Sequence, residues 1–78
     1  MENVYTSNNG WRICKQDDLF SSDTSWFSIY RYYPESSWTP FKHMGNSLET
    51  CFLWLYRAKF ISADEYNYQI SLIKKNHA

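Results

Sequence analysis

The sequence has little of what catalytic and cofactor sites are usually built from. Its two glycines, Gly10 and Gly45, stand far apart, so no loop can cradle a phosphate on successive backbone amides. The histidines are His43 and His77, and the cysteines, Cys14 and Cys51, are isolated from them and from each other. A metal centre needs three or four such ligands at set spacings, so no metal or cofactor is expected. Cys51 with His43 would be the one nucleophile-and-base pair to consider. Cys51, however, falls on the apolar face of a helix, where burial raises a thiol's pKa and leaves it inert. Asp17 and Asp18 are adjacent, their side chains diverge, and no histidine stands beside them, which does not suit acid–base work. The expectation is a non-enzymatic protein.

Excess charge is also missing. Eight Lys and Arg balance eight Asp and Glu. That argues against a generic DNA binder, which neutralises phosphates with surplus cations, and equally against an acidic DNA mimic. No apolar run is long either. The longest, residues 51–56, is too short to cross a bilayer, and the first ten residues lack the basic and apolar segments of a secretory leader. These absences lead to the expectation of a cytoplasmic protein without a membrane partner, its cysteines present as two buried thiols.

Aromatic residues, by contrast, are abundant: four Trp, seven Tyr and five Phe make up 21% of the 78 residues. A chain of this length makes one small domain, and large rings are one means of offsetting its conformational entropy. Asn, Lys, Ile, Tyr and Phe are common while Gly, Ala, Arg and Pro are scarce. That contrast follows AT-rich coding, as in many phage and mobile-element genes.

The densest apolar stretch spans residues 46–60. Asn46 reads as an N-cap with Glu49 three residues on, a capping box that opens a helix over about 47–60. At about 100° per residue, Leu48, Cys51, Phe52, Leu55 and Ala58 share one face, the expected core side. Leu53, Trp54 and Phe60 fall elsewhere on the wheel, and a second helix is the expected cover for them. Ser62 with Glu65 forms another capping box, with Ile61 and Tyr66 as a hydrophobic staple. The helix it opens runs over about 63–75. Ala63, Tyr66, Ile70 and Ile73 line one face of it, and Tyr68 and Leu72 form a surplus apolar strip.

Before the helices the pattern is extended. A β-compatible run with Val4 and Thr6 leads to Asn8, Asn9 and Gly10. Asn-Gly is a two-residue hairpin signal, for which a type I′ turn needs positive φ at both central positions. Trp11 and Ile13 then alternate with Arg12 and Cys14. Residues 16–24 read as a polar loop, with Leu19 and Phe20 plugging an edge of the core. Residues 25–33 are the strongest strand, rich in aromatic and β-branched side chains and stopped by Pro34. Phe27 and Ile29 should face the helices, and Trp26, Ser28, Tyr30 and Tyr32 the other way. Residues 37–43 return as a strand that Pro40 confines to a sheet edge.

Leu55 and Tyr56, followed by Phe60, Ile61, Ser62, Ala63, Asp64, Glu65 and Tyr66, resemble the short C-terminal oligomerisation hairpins called SHOCT domains. The likeness covers about a quarter of the chain and departs from the family at Lys59, where those hairpins typically carry Gly.

The fold class expected is α+β: a small antiparallel sheet of three to four strands within residues 2–43, then a C-terminal two-helix hairpin packed on one face. The expected function is protein binding, in concrete form a phage or mobile-element inhibitor of a host complex, anti-CRISPR-like. Leu53, Trp54, Phe60, Tyr68 and Leu72 are the candidates for a partner or homodimer interface. Asp17, Asp18, Asp23, Trp26, Tyr30, Arg31 and Tyr32 are the candidates for a polar contact surface. The alternative is a module for single-stranded nucleic acid, with Trp26, Tyr30 and Tyr32 stacking bases near Arg12 and Lys42.

Overall fold

The computed structural model describes residues 2–18 and 21–76, with backbone alone at 17–18 and 21–25. Strands β1 (Glu2–Thr6), β2 (Trp11–Asp18), β3 (Ser21–Tyr33) and β4 (Ser37–Gly45) are followed by helices α1 (Leu48–Arg57) and α2 (Ala63–Asn76). The strands form one antiparallel sheet in the order β1-β2-β3-β4, so every neighbour in the sheet is also a neighbour in the chain. This is the expected α+β arrangement. Among the described residues no helix is long and apolar enough to cross a membrane.

The β1–β2 connection departs from a two-residue type I′ turn. Only Gly10 has positive φ there (+89°), and the Ser7 amide donates to the Trp11 carbonyl at 2.7 Å. Those are the features of a three-residue loop closed by a left-handed glycine. Its floor is tied down, because the Trp11 amide donates to Ser7 Oγ at 2.9 Å and the Tyr32 amide to the Gly10 carbonyl at 2.9 Å.

Residues 16–18 and 21–24 are not a polar loop. β2 runs on through Asp18 and β3 begins at Ser21, with Gln16 opposite Trp26 and Asp17 opposite Ser25. A polar solvent face satisfies a ladder as well as an apolar one, so composition alone misassigned this stretch. Leu19 and Phe20 lie outside the described residues.

β4 pairs with β3 out to Gly45, and two register shifts leave Phe41 and Met44 as extra residues on the edge strand. Pro40 stands opposite Tyr30 beside the first of them, on an edge as its missing N–H requires. β1, the other edge, has a shift of its own at Val4.

The core lies between the sheet and α1. Trp11, Ile13, Phe27 and Ile29 meet Cys51, Phe52 and Leu55, all buried, with Ile61 closing one end. The helical periodicity therefore identified the buried face of α1 correctly. Its N-cap is Ser47 and not Asn46: Ser47 is extended and its hydroxyl accepts from the Thr50 amide at 3.3 Å. Pairing of Gly45 with Phe27 leaves Asn46 as the link to the helix, so the capping box with Glu49 does not form.

α1 ends at Arg57, earlier than the periodicity implied, in a Schellman motif. The Phe60 amide donates to the Leu55 carbonyl at 2.9 Å and the Lys59 amide to Tyr56 at 3.0 Å. Lys59 has φ +66°, the left-handed conformation that glycine adopts most cheaply. Phe60 thus belongs to the turn.

Ser62 caps α2 as expected, accepting from the Glu65 amide at 3.1 Å. The Glu65 carboxylate does not complete the box. Its Oε1 accepts from Gln69 Nε2 at 2.9 Å and from the Tyr5 hydroxyl at 3.4 Å, which ties α2 to β1.

Candidate functional site

α1 and its turn cover only one side of the sheet. Bulges decide which β4 residues face the other side. Trp38 and Pro40 stand opposite Tyr32 and Tyr30, facing away from the helices, and plain alternation would add Lys42 to them. The extra residue at Phe41 reverses this: Lys42 pairs with Ile29, its Nζ lies 6.0 Å from the Trp54 ring, and Phe41 meets Trp11 edge-on at 5.0 Å. Lys42 is therefore not beside Trp26, Tyr30 and Tyr32, as expected, but on the helix side. The same bulge turns His43, which plain alternation from Pro40 would put on the helix side, to the open face opposite Ser28.

Rings make up both ends of this open face. At one end Tyr32 meets Trp38 edge-to-face at 5.4 Å, and the Arg12 guanidinium lies 4.0 Å from the Trp38 ring centroid. Arg12 Nε also donates to Thr6 Oγ1 at 3.1 Å. At the other end Trp26 lies against His43 at 5.6 Å, and Ser28 Oγ is 3.3 Å from His43 Nδ1. Trp26 is 38% exposed and Tyr32 45%. Tyr30 is half-buried between the two ends.

Across the middle, Asn3, Cys14, Ser28 and His43 form one row, a residue from each strand. Cys14 is buried there, and its thiol donates to Asn3 Oδ1 at 3.4 Å. Desolvation by burial pushes its pKa up, against the lowering pull of Arg12. Cys51, on the helix side, is pushed up to about 12 by burial. Both cysteines are free and buried, and thiols held protonated in this way are poor nucleophiles. Among the described residues no three His, Cys, Asp or Glu come together as a metal-ligand set.

The helix-side candidates divide. Trp54 and Phe60 are half-buried in an aromatic cluster around Trp11: Phe60 stacks on Trp11 at 4.1 Å, and Trp54 meets Trp11 at 6.1 Å and Phe41 at 5.7 Å. The sheet and the turn cover these two rings, where a second helix was expected to. Leu53 is half-buried on α1, whereas Tyr68, 58% exposed, and Leu72 lie open on α2. Among the polar candidates, Arg31 lies on the helix side, its guanidinium 4.6 Å from the Trp11 ring centroid. The side chains of Asp17, Asp18 and Asp23 lie outside the described set.

Sequence reasoning passed over Trp38 as a member of the open face, although strict alternation from Pro40 would have placed it there. His43 was read only as a catalytic base, and no local signal announces the bulge at Phe41 that orients it. Comparison with protein-family models, with curated proteins and with solved structures returns no match to this chain.

Proposed function

We propose that this chain is a non-enzymatic binding protein, that its contact surface is the open face of the sheet, and that its partner is a protein. The observation that carries the reading is a helix-free face with Trp26, Tyr32 and Trp38 on it and Arg12 stacked on Trp38. Trp, Tyr and Arg are the residues that most often anchor protein interfaces. Ring-on-ring contacts restrain these side chains before any partner arrives, which lowers the entropy cost of binding. Both sheet edges carry bulges, which discourage a partner strand from adding edge-on and leave the face as the contact surface. The more specific form, an anti-CRISPR-like inhibitor from a phage or mobile element acting in the cytoplasm, draws its support from small size and AT-rich composition.

The test is recovery of a partner from host extract by the wild-type protein, a Trp26→Ala, Tyr32→Ala double variant and a Tyr68→Ala, Leu72→Ala double variant. Loss only in the first pair supports the reading. Loss only in the second moves the interface to α2, where a homodimer would be detected by sedimentation.

A single-stranded nucleic-acid module is favoured by one observation. The described outward side chains include Arg12 and His43, and none is a carboxylate. Anisotropy titration with single-stranded oligonucleotides at low salt distinguishes it: salt-sensitive binding lost in a Tyr30→Ala, Tyr32→Ala variant would replace the protein reading.

A further inference from the structure

We propose that a cleft at the loop end of the sheet receives a carboxylate from an acidic segment of the protein partner, and that Arg31 is the group that holds it. The proposal rests on reading the open face as a protein-contact surface, which this cleft adjoins. The cleft, about 460 Å³, opens between loop 7–10 on one side and Arg31, Tyr32 and Trp38 on the other.

Arg31 is fixed in place. Its Nη1 donates to the Asn9 carbonyl at 2.9 Å, and its guanidinium lies over the Trp11 ring. Gly10 lies beside it, where a Cβ would stand in ordinary van der Waals contact 3.5 Å from Arg31 Nη1, so it is the positive φ of +89° and not space that calls for glycine. These contacts set the plane of the guanidinium while using one of its five N–H donors. Among the described residues no carboxylate pairs with Arg31 or Arg12. Tyr32, Trp38 and Asn8, which also line the cleft, make no side-chain hydrogen bond among the described residues. A guanidinium without a carboxylate among the described residues, in a cleft whose other side chains can donate, is complementary to an anion.

Charge and shape together select which anion. Arg12 is engaged with Trp38 and Thr6, so one guanidinium fork lines the cleft. A single planar fork matches a single planar carboxylate in bidentate contact. A phosphate strand needs several cations along its path, and the net charge of this chain is zero.

The experiment titrates the ¹⁵N-labelled protein with hexaglutamate, with hexaglutamine and with a six-nucleotide oligo-dT, following the side-chain N–H signals of Arg31 and Trp38 and the Gly10 amide. Hexaglutamate should move these signals, more weakly as salt rises, and hexaglutamine should not. Arg31→Gln should weaken hexaglutamate binding by about tenfold or more, the loss expected for a charge-assisted hydrogen bond. Arg31→Lys, a point charge without the fork, should fall between. Asn8→Asp sets a carboxylate on the exposed rim without touching the core, and should weaken binding even if Arg31→Gln fails to fold.

The proposal is overturned if hexaglutamine moves the same signals, if the shifts centre on Lys74 and Lys75, if Asn8→Asp binds like wild type, or if oligo-dT binds the cleft more tightly. Should hexaglutamate fail while Trp26→Ala, Tyr32→Ala still abolishes partner recovery, the carboxylate site falls and the face reading stands. Should that double variant recover partner normally, it is the face reading that falls.

Discussion

The two faces of this sheet are made from the same residue types and are used in opposite ways. On the helix side, Trp11, Ile13, Phe27 and Ile29 are at most 9% exposed, and the aromatic rings there pack on one another and on α1. On the open side, Trp26 and Tyr32 keep more than a third of their surface in solvent. Aromatic content therefore does not distinguish core from contact surface in this chain. What does is whether a helix lies above the ring, and that follows from strand parity and bulge position. A small domain gains most of its stability from one covered face, and here that leaves the other available.

The strongest way to test the contrast is to empty the covered side. Phe52 is 2% exposed and meets the Tyr5 ring edge-on at 4.9 Å. Phe52→Ala should cost about 3–5 kcal/mol, read as a drop in the urea midpoint, enough to unfold much of a domain this small. A loss near 1 kcal/mol would mean that α1 is not the chief cover of the sheet.

Titration separates the faces next. On the helix side, the Tyr5 hydroxyl is pushed up to about 12, first by desolvation and then by the nearby Glu65 carboxylate, and Cys51 also lies near 12. Both values exceed those of the unfolded chain, so the folded protein holds protons that the unfolded chain releases more easily. Their contribution is whole below the unfolded pKa values, about 9 for Cys and 10 for Tyr, and fades as pH rises towards 12. The urea midpoint should fall across that window, and Tyr5→Phe should flatten part of the decline. An equal slope in Tyr5→Phe would show that the Tyr5 hydroxyl carries none of this pH dependence.

Both helices, the buried face of α1, the aromatic strand and the edge role of Pro40 were legible because each rests on a local rule: periodicity, a cap, a proline. The loop assigned to residues 16–24 failed because a strand with polar side chains has no compositional mark. The cap moved from Asn46 to Ser47 because pairing at Gly45, a tertiary fact, chose between two adequate capping residues. Half of the candidate site was legible as well. Trp26, Tyr30 and Tyr32 follow from alternation along β3, whereas Lys42 and His43 exchanged sides through the bulge at Phe41, which only the register with β3 reveals.

The ends of α1, which hold the cover in place, should respond more modestly. Ser47→Ala removes the cap and should cost about 1 kcal/mol, while Asn46→Ala should change stability by less than about 0.5 kcal/mol. Equal losses would restore Asn46 as the cap. Lys59→Gly should stabilise the protein by about 1 kcal/mol, because it relieves a left-handed residue at the Schellman turn.

The smallest stability effect should come from one of the largest side chains. Trp26 presses on His43 alone among the described rings and has no helix above it, so Trp26→Ala should cost only about 0.5 kcal/mol. Removing an indole from a packed face would cost several times that. A loss of 3 kcal/mol or more would make the open side a second core face, with its tryptophan retained for packing. A loss near the expected value would leave Trp26 without a sufficient role in the folded monomer. An exposed ring that stability does not require is available for a contact outside the chain.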